Sequence, residues 1–430
     1  MMPSKKFQIF GLNVKKTARL KKSSVISPIS AICITGLSTL SMDVFSRTGL
    51  IFILILIEAG GLGILTYISF LMTVSSKKIS VVNGNLIKDL YIDDIDFNPK
   101  SILKKVVLFT LLIQVIGSIL LIPGLYKAGD QHIIFNSIFL SISAFCNAGF
   151  SPSSDSLSGF SGNWYVLSII MGLIILGGIG FVVFTNIAQK IQFAKKGQIF
   201  YLSLHVKIVL ISTVVLIVSG FVFTFISFYK TSLWKIPLSK RILTALFESV
   251  TLRTAGFETI PQTSFTSSAS LFHLILMFIG GSPGSIAGGI KTTTAFITLL
   301  YLLDGNEQHT TVSFANRRIP STIINKSITI VSRSVLILLI SAILLSHAEN
   351  QLISNGTISL IDIIYESVSA LATVGLSRGL TPQLSYLGKL IIIITMYIGR
   401  TGIYAMSIKS GFTGSDNEDL IYPEESLLVG

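Results

Sequence analysis

The chain has very little charge for its length. Only 12% of its 430 residues are Asp, Glu, Lys or Arg, 50% are hydrophobic, and the mean hydropathy is +0.76. Soluble domains carry about 25% charged residues, so a chain this poor in charge cannot cover a globule with a hydrated surface. The composition excludes a string of soluble domains and indicates a membrane protein.

Cysteine and histidine are also scarce. The chain has two cysteines, Cys33 and Cys146, and five scattered histidines, which excludes a disulfide framework and leaves no metal-ligand spacing. The sequence contains no HExxH or GxSxG motif, so no enzymatic activity is predicted. No apolar segment with a small-residue cleavage site follows the basic start, so no cleaved signal peptide is predicted.

Long apolar runs dominate what is present. A bilayer span needs about 20 apolar residues. Seven runs qualify, at 48–74, 103–125, 164–188, 205–229, 271–300, 328–346 and 388–408. Four more runs are too short to span, at 25–34, 135–146, 242–252 and 361–372, and each lies just before a long one. The order predicts short helices that enter the membrane without crossing it.

The positive net charge of +13 is concentrated between the spans. Clusters around Lys77, Lys104, Lys195 and Arg317 lie in three loops rather than beside aromatic residues, so no nucleic-acid partner is expected. The positive-inside rule makes these loops cytoplasmic and the short apolar runs external. We therefore expect a multi-pass protein of the bacterial cytoplasmic membrane, in contact with membrane lipid.

Four segments of the chain repeat one pattern. They read SAICITGL at 30–37, SAFCNAGF at 143–150, VTLRTAGF at 250–257 and SALATVGL at 369–376. A second signature follows at 60–63, 177–180, 280–284 and 399–402. Its offset from the first glycine is 24 residues in three cases (36 to 60, 256 to 280, 375 to 399) and 28 in the other (149 to 177). Two signatures in register predict internal fourfold repetition.

The predicted fold is an all-α polytopic membrane protein with four helix–pore-helix–helix repeats around a central pore. The boundaries are a basic tail at 1–22, repeat 1 at 23–76, repeat 2 at 77–190, repeat 3 at 191–304, repeat 4 at 305–410 and a tail at 411–430. Repeat 1 lacks its first spanning helix, because residues 1–22 contain seven lysines and arginines. The sequence thus predicts seven spans, an external N-terminus, a cytoplasmic C-terminus and poor conduction unless a spanning helix is prepended.

Each short helix must be followed by a turn back toward the outside. Non-helical backbone at membrane depth is tolerated only where it is buried in protein or lines water. Glycine permits the positive φ angles that aim carbonyls inward, and rings of carbonyls can replace the hydration shell of a cation. The alternative is that the glycines only allow close helix packing. Four in register favour an ion pathway.

These motifs resemble the Trk, Ktr and HKT potassium transporter superfamily, and most closely its Ktr-type bacterial membrane subunit, over residues 25–412. The stretches that carry the resemblance are 33–37, 147–150, 253–257, 373–376, 280–294 and 397–402. The resemblance implies potassium uptake, with sodium as a candidate coupling ion and no covalently bound cofactor. It also implies a homodimer and a cytosolic ring of nucleotide-binding regulatory subunits.

Carried onto this chain, the resemblance predicts an ion-binding filter and a gate. The filter residues are Thr35, Gly36, Asn147, Ala148, Gly149, Thr254, Ala255, Gly256, Thr373, Val374 and Gly375. The gate residues are Gly280, Gly281, Ser282, Gly284, Gly288, Gly289, Lys291 and Arg400.

The broken span and three charged residues within apolar runs each leave alternatives open. Residues 280–291 break a span, and the break is a gating loop or a static kink. Lys291 is an intracellular anchor or a charge in the cavity. Arg400 faces the ion pathway or pairs with a carboxylate or backbone carbonyls, and Glu58 is one candidate partner.

A competing function is a secondary transporter of another cation or of an organic solute. Such transporters use broken helices at a midplane site and show twofold repeats. The four pore-like units of this chain favour a cation-conducting subunit instead.

Overall fold

The computed structural model describes residues 26–63, 99–229, 231–304 and 312–401. The helices of the first two repeats are α1 (Ile26–Ile32), α2 (Arg47–Gly61), α3 (Pro99–Lys127), α4 (Ile133–Phe145), α5 (Trp164–Ile179) and α6 (Phe181–Lys195). Then follow α7 (Leu204–Ser227), α8 (Leu238–Thr251), α9 (Ser267–Phe278) and α10 (Thr292–Asp304). The strands β1 (Val312–Phe314) and β2 (Arg317–Ile319) precede α11 (Ser321–Ala348), α12 (Asn350–Ser354), α13 (Leu360–Leu371) and α14 (Tyr386–Thr401). The predicted tails at 1–22 and 411–430 lie outside the described residues.

Within the part of the chain that the structure describes, three helices are long and apolar enough to cross a membrane by themselves, namely α3, α7 and α11. Each has many exposed leucine, isoleucine and valine side chains, as expected where the surrounding solvent is lipid. The structure is that of a multi-pass membrane protein, as predicted.

All four short apolar runs form helices, α1, α4, α8 and α13, of 7, 13, 14 and 12 residues. At 1.5 Å per residue, none of these lengths can cross the hydrocarbon core. Buried residues of α4, α5 and α8 share one hydrophobic cluster, and those of α1, α11, α13 and α14 share another. The short helices therefore lie inside the molecule, each wrapped by longer ones.

One predicted span is not a single continuous helix, so the prediction is wrong at this point. The run 164–188 is broken at Gly180 into α5 and α6, which meet at an angle of 94°. Gly180 has a φ of 89°, outside helical geometry. The run 271–300 is also broken, between α9 and α10, as the glycines and proline at 280–291 predicted.

A two-stranded hairpin lies near the start of the predicted fourth repeat. Strands β1 and β2 are antiparallel and are linked by Ala315 and Asn316, both with positive φ. This is the geometry of a tight two-residue hairpin turn. Phe314 packs edge-on against Phe296 of α10 at 5.0 Å between ring centres, which anchors the hairpin to the helix that follows the break. The repeat boundaries stay predictions.

Candidate functional site: four glycine turns and a central loop

Each short helix ends in a turn with the same backbone conformation. In every turn two residues separated by one have positive φ, 52–64° at the first and 71–98° at the second. The pairs are Ile34 and Gly36, Asn147 and Gly149, Thr254 and Gly256, and Thr373 and Gly375. Non-glycine residues adopt this conformation at a cost of roughly 1–2 kcal/mol. The same strained position in all four turns indicates a functional constraint.

Gly36, Gly149, Gly256 and Gly375 form a closed ring, here called the glycine ring. A Cβ added at Gly36 would lie 3.5 Å from Cα of Gly149, one at Gly149 would lie 2.8 Å from Cα of Gly256, and one at Gly256 would lie 3.3 Å from Cα of Gly375. A Cβ at Gly375 would lie 2.9 Å from Cα of Gly36 and closes the circle. The four turns thus meet around one axis.

A carbonyl oxygen from the next turn faces each glycine of the ring. A Cβ at Gly36 would lie 2.8 Å from the oxygen of Ala148, and one at Gly149 would lie 2.9 Å from that of Ala255. Gly256 faces the oxygen of Val374 and Gly375 that of Thr35 in the same way. These oxygens belong to the residue before each ring glycine. The ring is therefore built of backbone, with no room for side chains.

Hydroxyl groups of the short helices form hydrogen bonds with the backbone of three of the turns. Ser143 Oγ donates to the carbonyl of Phe150 at 2.7 Å, and Thr251 Oγ1 donates to that of Phe257 at 2.8 Å. Ser369 Oγ accepts from the Gly375 amide at 3.0 Å. Because these hydroxyls belong to the short helices, they fix each turn to its own helix.

The second glycine signature lies directly behind the ring. A Cβ at Gly60, Gly177 or Gly399 would collide with the carbonyl oxygen of Ile32, Phe145 or Leu371 respectively. Each of these carbonyls is four residues before a ring glycine, at the end of a short helix. Close helix packing, small residue against backbone, therefore explains this signature in repeats 1, 2 and 4.

In repeat 3 the break between α9 and α10 forms a loop under the ring, residues 280–291, here called the central loop. The base is closed by hydrogen bonds from Gly280 N to the Ile290 carbonyl (2.9 Å) and from Thr292 N to the Gly281 carbonyl (2.9 Å). A Cβ at Gly288 would lie 2.6 Å from the Ala372 carbonyl oxygen and would collide with Thr373 Oγ1. The central loop therefore packs directly against the fourth turn.

The central loop is also bonded to the bend between α5 and α6. Ser282 N donates to the Gly178 carbonyl at 3.0 Å and Ile286 N to the Gly177 carbonyl at 3.3 Å. In the other direction, Phe181 N donates to the Gly284 carbonyl at 3.3 Å. The partners of the bend are thus over a hundred residues away in sequence.

Arg400 ties the central loop to repeat 1. Its guanidinium donates to the Ile286 carbonyl at 2.8 Å and to the Gly60 carbonyl. These two backbone carbonyls are the observed partners of Arg400, and its role in the ion pathway stays a prediction. Lys291 Nζ donates to the Ala287 carbonyl at 2.6 Å, within the loop itself.

Glu58 does not pair with Arg400, so that suggestion from the sequence is wrong. The Glu58 carboxylate accepts from Gln114 Nε2 of α3 at 2.8 Å, and Cys146 Sγ lies 3.6 Å from the same oxygen. The sequence analysis overlooked Gln114. It is a polar residue in the middle of an apolar span, which was the available signal.

A cavity of about 420 Å³ opens on the outer side of the ring and is lined by residues of all four turns. Glu258 lies in its wall, where Gln262 N donates to its carboxylate at 2.8 Å. Burial raises the pKa of Glu258 to about 7. Sequence reasoning missed Glu258, although a carboxylate two residues after a ring glycine was a usable signal.

Arg378 also lines the cavity and is held by an ion pair with Asp362 at 2.6 Å. Burial alone would raise the pKa of Asp362, but hydrogen bonds from Ser359 and Arg378 outweigh it and hold the pKa below its usual value. Arg378 also donates to the Gln262 carbonyl at 3.0 Å and Ser270 Oγ at 2.8 Å. Its charge is thus fixed in place at the outer mouth.

The structure brings the predicted filter residues together in the four turns and the predicted gate residues together beneath them. Thr373 Oγ1 lies between these two layers, at the position where a Cβ added to Gly288 would collide with it. The hydroxyls of Thr35, Thr254 and Thr373 are buried and have no hydrogen-bond partner among the described residues. The arrangement offers carbonyl and hydroxyl oxygens, which suit a hard cation.

Comparisons with known proteins agree with this architecture. The chain matches the TrkH family model, described as a cation transport protein, over residues 15–416. It is 32% identical to the potassium/sodium uptake protein NtpJ of Enterococcus hirae, covering 95% of this chain and 89% of that one. It is 31% identical to the Ktr system potassium uptake protein B of Vibrio alginolyticus, covering 99% and 90%. The crystal structure of the potassium transporter TrkH from Vibrio parahaemolyticus superposes with a TM-score of 0.67 at 17% identity, over 91% of this chain and 79% of that one.

Proposed function

Because this chain belongs to the TrkH family of cation transport proteins, which are transporters and not enzymes, we propose that it carries potassium into the bacterial cell. It would act as the ion-translocating, multi-pass subunit of a Ktr-type system. The names of the two relatives, a potassium/sodium uptake protein and a Ktr system potassium uptake protein, support this assignment.

The observation that carries the proposal is the closed glycine ring with a carbonyl oxygen facing each glycine. Potassium sheds its hydration shell when rings of carbonyl oxygens replace it. The absence of any Cβ at the ring leaves these oxygens unobstructed. In this proposal the filter comprises Thr35, Gly36, Asn147, Ala148, Gly149, Thr254, Ala255, Gly256, Thr373, Val374 and Gly375.

We propose the central loop and Arg400 as the gate of this pathway. The loop lies against the fourth turn, and Arg400 bonds it to α2 through the carbonyls of Ile286 and Gly60. A cation leaving the ring inward would meet both the loop and the guanidinium charge. Opening requires these hydrogen bonds to break.

The proposals for a coupling ion and for a regulatory subunit rest on the names of the relatives. The word sodium in one relative's name supports sodium as a coupling ion, and the word system in the other supports a separate regulatory subunit. A homodimer above a cytosolic ring of nucleotide-binding subunits is the arrangement that the family resemblance predicts.

The test is growth rescue of a bacterium that lacks its own potassium uptake systems, in medium of low potassium. We expect the chain with a spanning helix prepended, expressed with a Ktr-type regulatory subunit, to restore growth and rubidium uptake, and the unmodified chain to restore them poorly. The ring variant Gly256→Ser, which should have a weaker potassium affinity, is the comparison and should rescue growth only at higher potassium. Failure of the cells to grow in low potassium, with the protein present in the membrane, would overturn the proposal.

Competition assays on rubidium uptake distinguish potassium transport from the competing function, transport of another cation or an organic solute. Excess potassium should suppress rubidium uptake, whereas amino acids and sugars should not. Uptake that organic solutes suppress would favour a midplane solute site instead.

A further inference from the structure

Helix α6 leaves the membrane-spanning direction at a right angle. A single residue, Gly180, separates the end of α5 from the start of α6, and the two helix axes meet at 94°. Since α5 follows the course of a span, α6 runs roughly along the plane of the membrane. The lysines around it place this end on the cytoplasmic side.

The first half of α6 is held at the inner ends of two spans. Val183 and Ile187 pack with Val206 and Val209 of α7 in one apolar cluster. Phe184 packs against Phe109 of α3, with 4.8 Å between ring centres. Because α7 begins at Leu204, these contacts fix α6 at the level where the span enters the cytoplasm.

The second half of α6 and the residues after it, 188–201, are almost entirely exposed, and we call this segment the basic arm. It combines exposed apolar and aromatic side chains, Ile191 (53%), Ile199 (81%) and Tyr201 (77%), with exposed lysines. The lysines are Lys190, Lys195 and Lys196, and the segment 181–203 contains no Asp or Glu. Of these residues, Lys190, Ile191 and Lys195 lie on α6, and Lys196, Ile199 and Tyr201 follow it. Apolar, aromatic and basic residues in one exposed segment are typical of a segment that lies in the membrane interface.

We propose that the basic arm docks on the anionic lipid headgroups of the cytoplasmic leaflet, with its apolar side chains inserted at the headgroup level. Charge complementarity favours this partner, because the arm is purely positive and that leaflet is negative. Position favours it too, since the arm continues directly from a membrane span and lies at the bilayer surface. Each lysine near an anionic surface strengthens the contact roughly fivefold.

The docked arm is linked to the central loop through the bend at Gly180. Gly177, Gly178 and Phe181 hydrogen-bond to the loop residues Ile286, Ser282 and Gly284. A change in the angle of α6 alters these bonds, because their partners flank the bend. Lipid docking therefore biases the central loop, a step that rests on the proposed function, whereas the docking itself does not.

Docking is measured on the reconstituted protein with an environment-sensitive fluorophore on Ile191→Cys. The chain's own cysteines, Cys33 and Cys146, are buried, so the unsubstituted protein sets the labelling background. Vesicles contain phosphatidylcholine with an increasing fraction of phosphatidylglycerol and a trace of lipid with a nitroxide on the headgroup. We expect quenching to rise with phosphatidylglycerol and to fall in 1 M salt, which screens charges beyond about 3 Å.

A matched pair of variants tests the lysines. Lys195→Gln with Lys196→Gln should shift the half-maximal phosphatidylglycerol fraction upward severalfold. Lys127→Gln with Lys235→Gln removes two exposed lysines elsewhere and should leave it unchanged. Equal quenching in both pairs overturns the proposal. A label shielded from the nitroxide lipid and also from aqueous iodide would indicate a protein partner and overturn it as well.

Potassium flux in the same vesicles separates the two claims. Flux should depend on phosphatidylglycerol in the wild type, and this dependence should weaken in Lys195→Gln with Lys196→Gln. No potassium flux in any vesicle would contradict the proposed function and leave the quenching result to decide docking. Lipid-dependent quenching with lipid-independent flux would overturn the link to the central loop.

Discussion

Replacing Gly256 with serine tests the glycine ring most directly. Gly256 has a φ of 76°, and a Cβ there would collide with the Val374 carbonyl oxygen and lie 3.2 Å from Cα of Gly149. Since backbone atoms on two sides leave no flexible side chain to move aside, the ring itself must widen. We expect weaker potassium affinity and more sodium passage.

The size of the effect has two contributions. The left-handed backbone costs a non-glycine residue roughly 1–2 kcal/mol. Overpacking of a closely packed site typically costs a further 1–3 kcal/mol. If even about 1.4 kcal/mol of this falls on the ion-bound state, potassium affinity drops about tenfold. We therefore expect a loss of at least about tenfold in apparent affinity.

Gly129→Ser is the matched control. Gly129 has nearly the same φ, 74°, but a Cβ there would have no atom within 4 Å. It imposes the same backbone strain without touching the ring. Rubidium uptake with potassium and sodium as competitors should therefore change in Gly256→Ser and remain normal in Gly129→Ser.

Two results would refute the reasoning. Unchanged ion competition in a folded, membrane-inserted Gly256→Ser protein would remove Gly256 from the ion path. An equal loss in Gly129→Ser would show that backbone strain, and not contact with the ring, causes the effect.

Three further predictions concern the gate and the outer mouth. Deleting Ser282–Gly288 should raise potassium flux and weaken its dependence on a regulatory subunit; no flux from a folded, inserted protein would make the loop structural. Arg400→Gln removes the donors to the Ile286 and Gly60 carbonyls. Because a hydrogen bond from a charged group contributes about 1.5–3 kcal/mol, basal potassium flux should rise about tenfold. Flux at the wild-type level would contradict the gate assignment. The Glu258 carboxylate, near Glu248 and Arg378, has a pKa raised to about 7, so it loses its charge as external pH falls through 7 and potassium affinity should fall with it. Glu258→Gln should abolish that pH dependence in uptake assays, and a preserved dependence would assign it to another group.

The parts of the fold that depend on local composition could be predicted from the sequence. Apolar runs of different length separated spans from the short helices α1, α4, α8 and α13, and the ring glycines stood in register. The bend at Gly180 could not be predicted this way. Its run 164–188 contains no charged residue, and the hydrogen-bonding partners of the bend are in the central loop, more than a hundred residues away.

Several departures from the predicted fourfold pattern concern one level of the structure, just beneath the ring. In repeats 1, 2 and 4 the first glycine of the second signature packs on the end of a short helix, but Gly280 faces the Gly288 carbonyl instead. At the second position of the signature, the Gly178 carbonyl accepts a hydrogen bond from the central loop, and Arg400 donates a hydrogen bond to the central loop. Repetition therefore builds the ring, where four equivalent carbonyls suit a spherical ion. The central loop needs a break in one span and the charge of Arg400, and only asymmetry between the repeats can supply them.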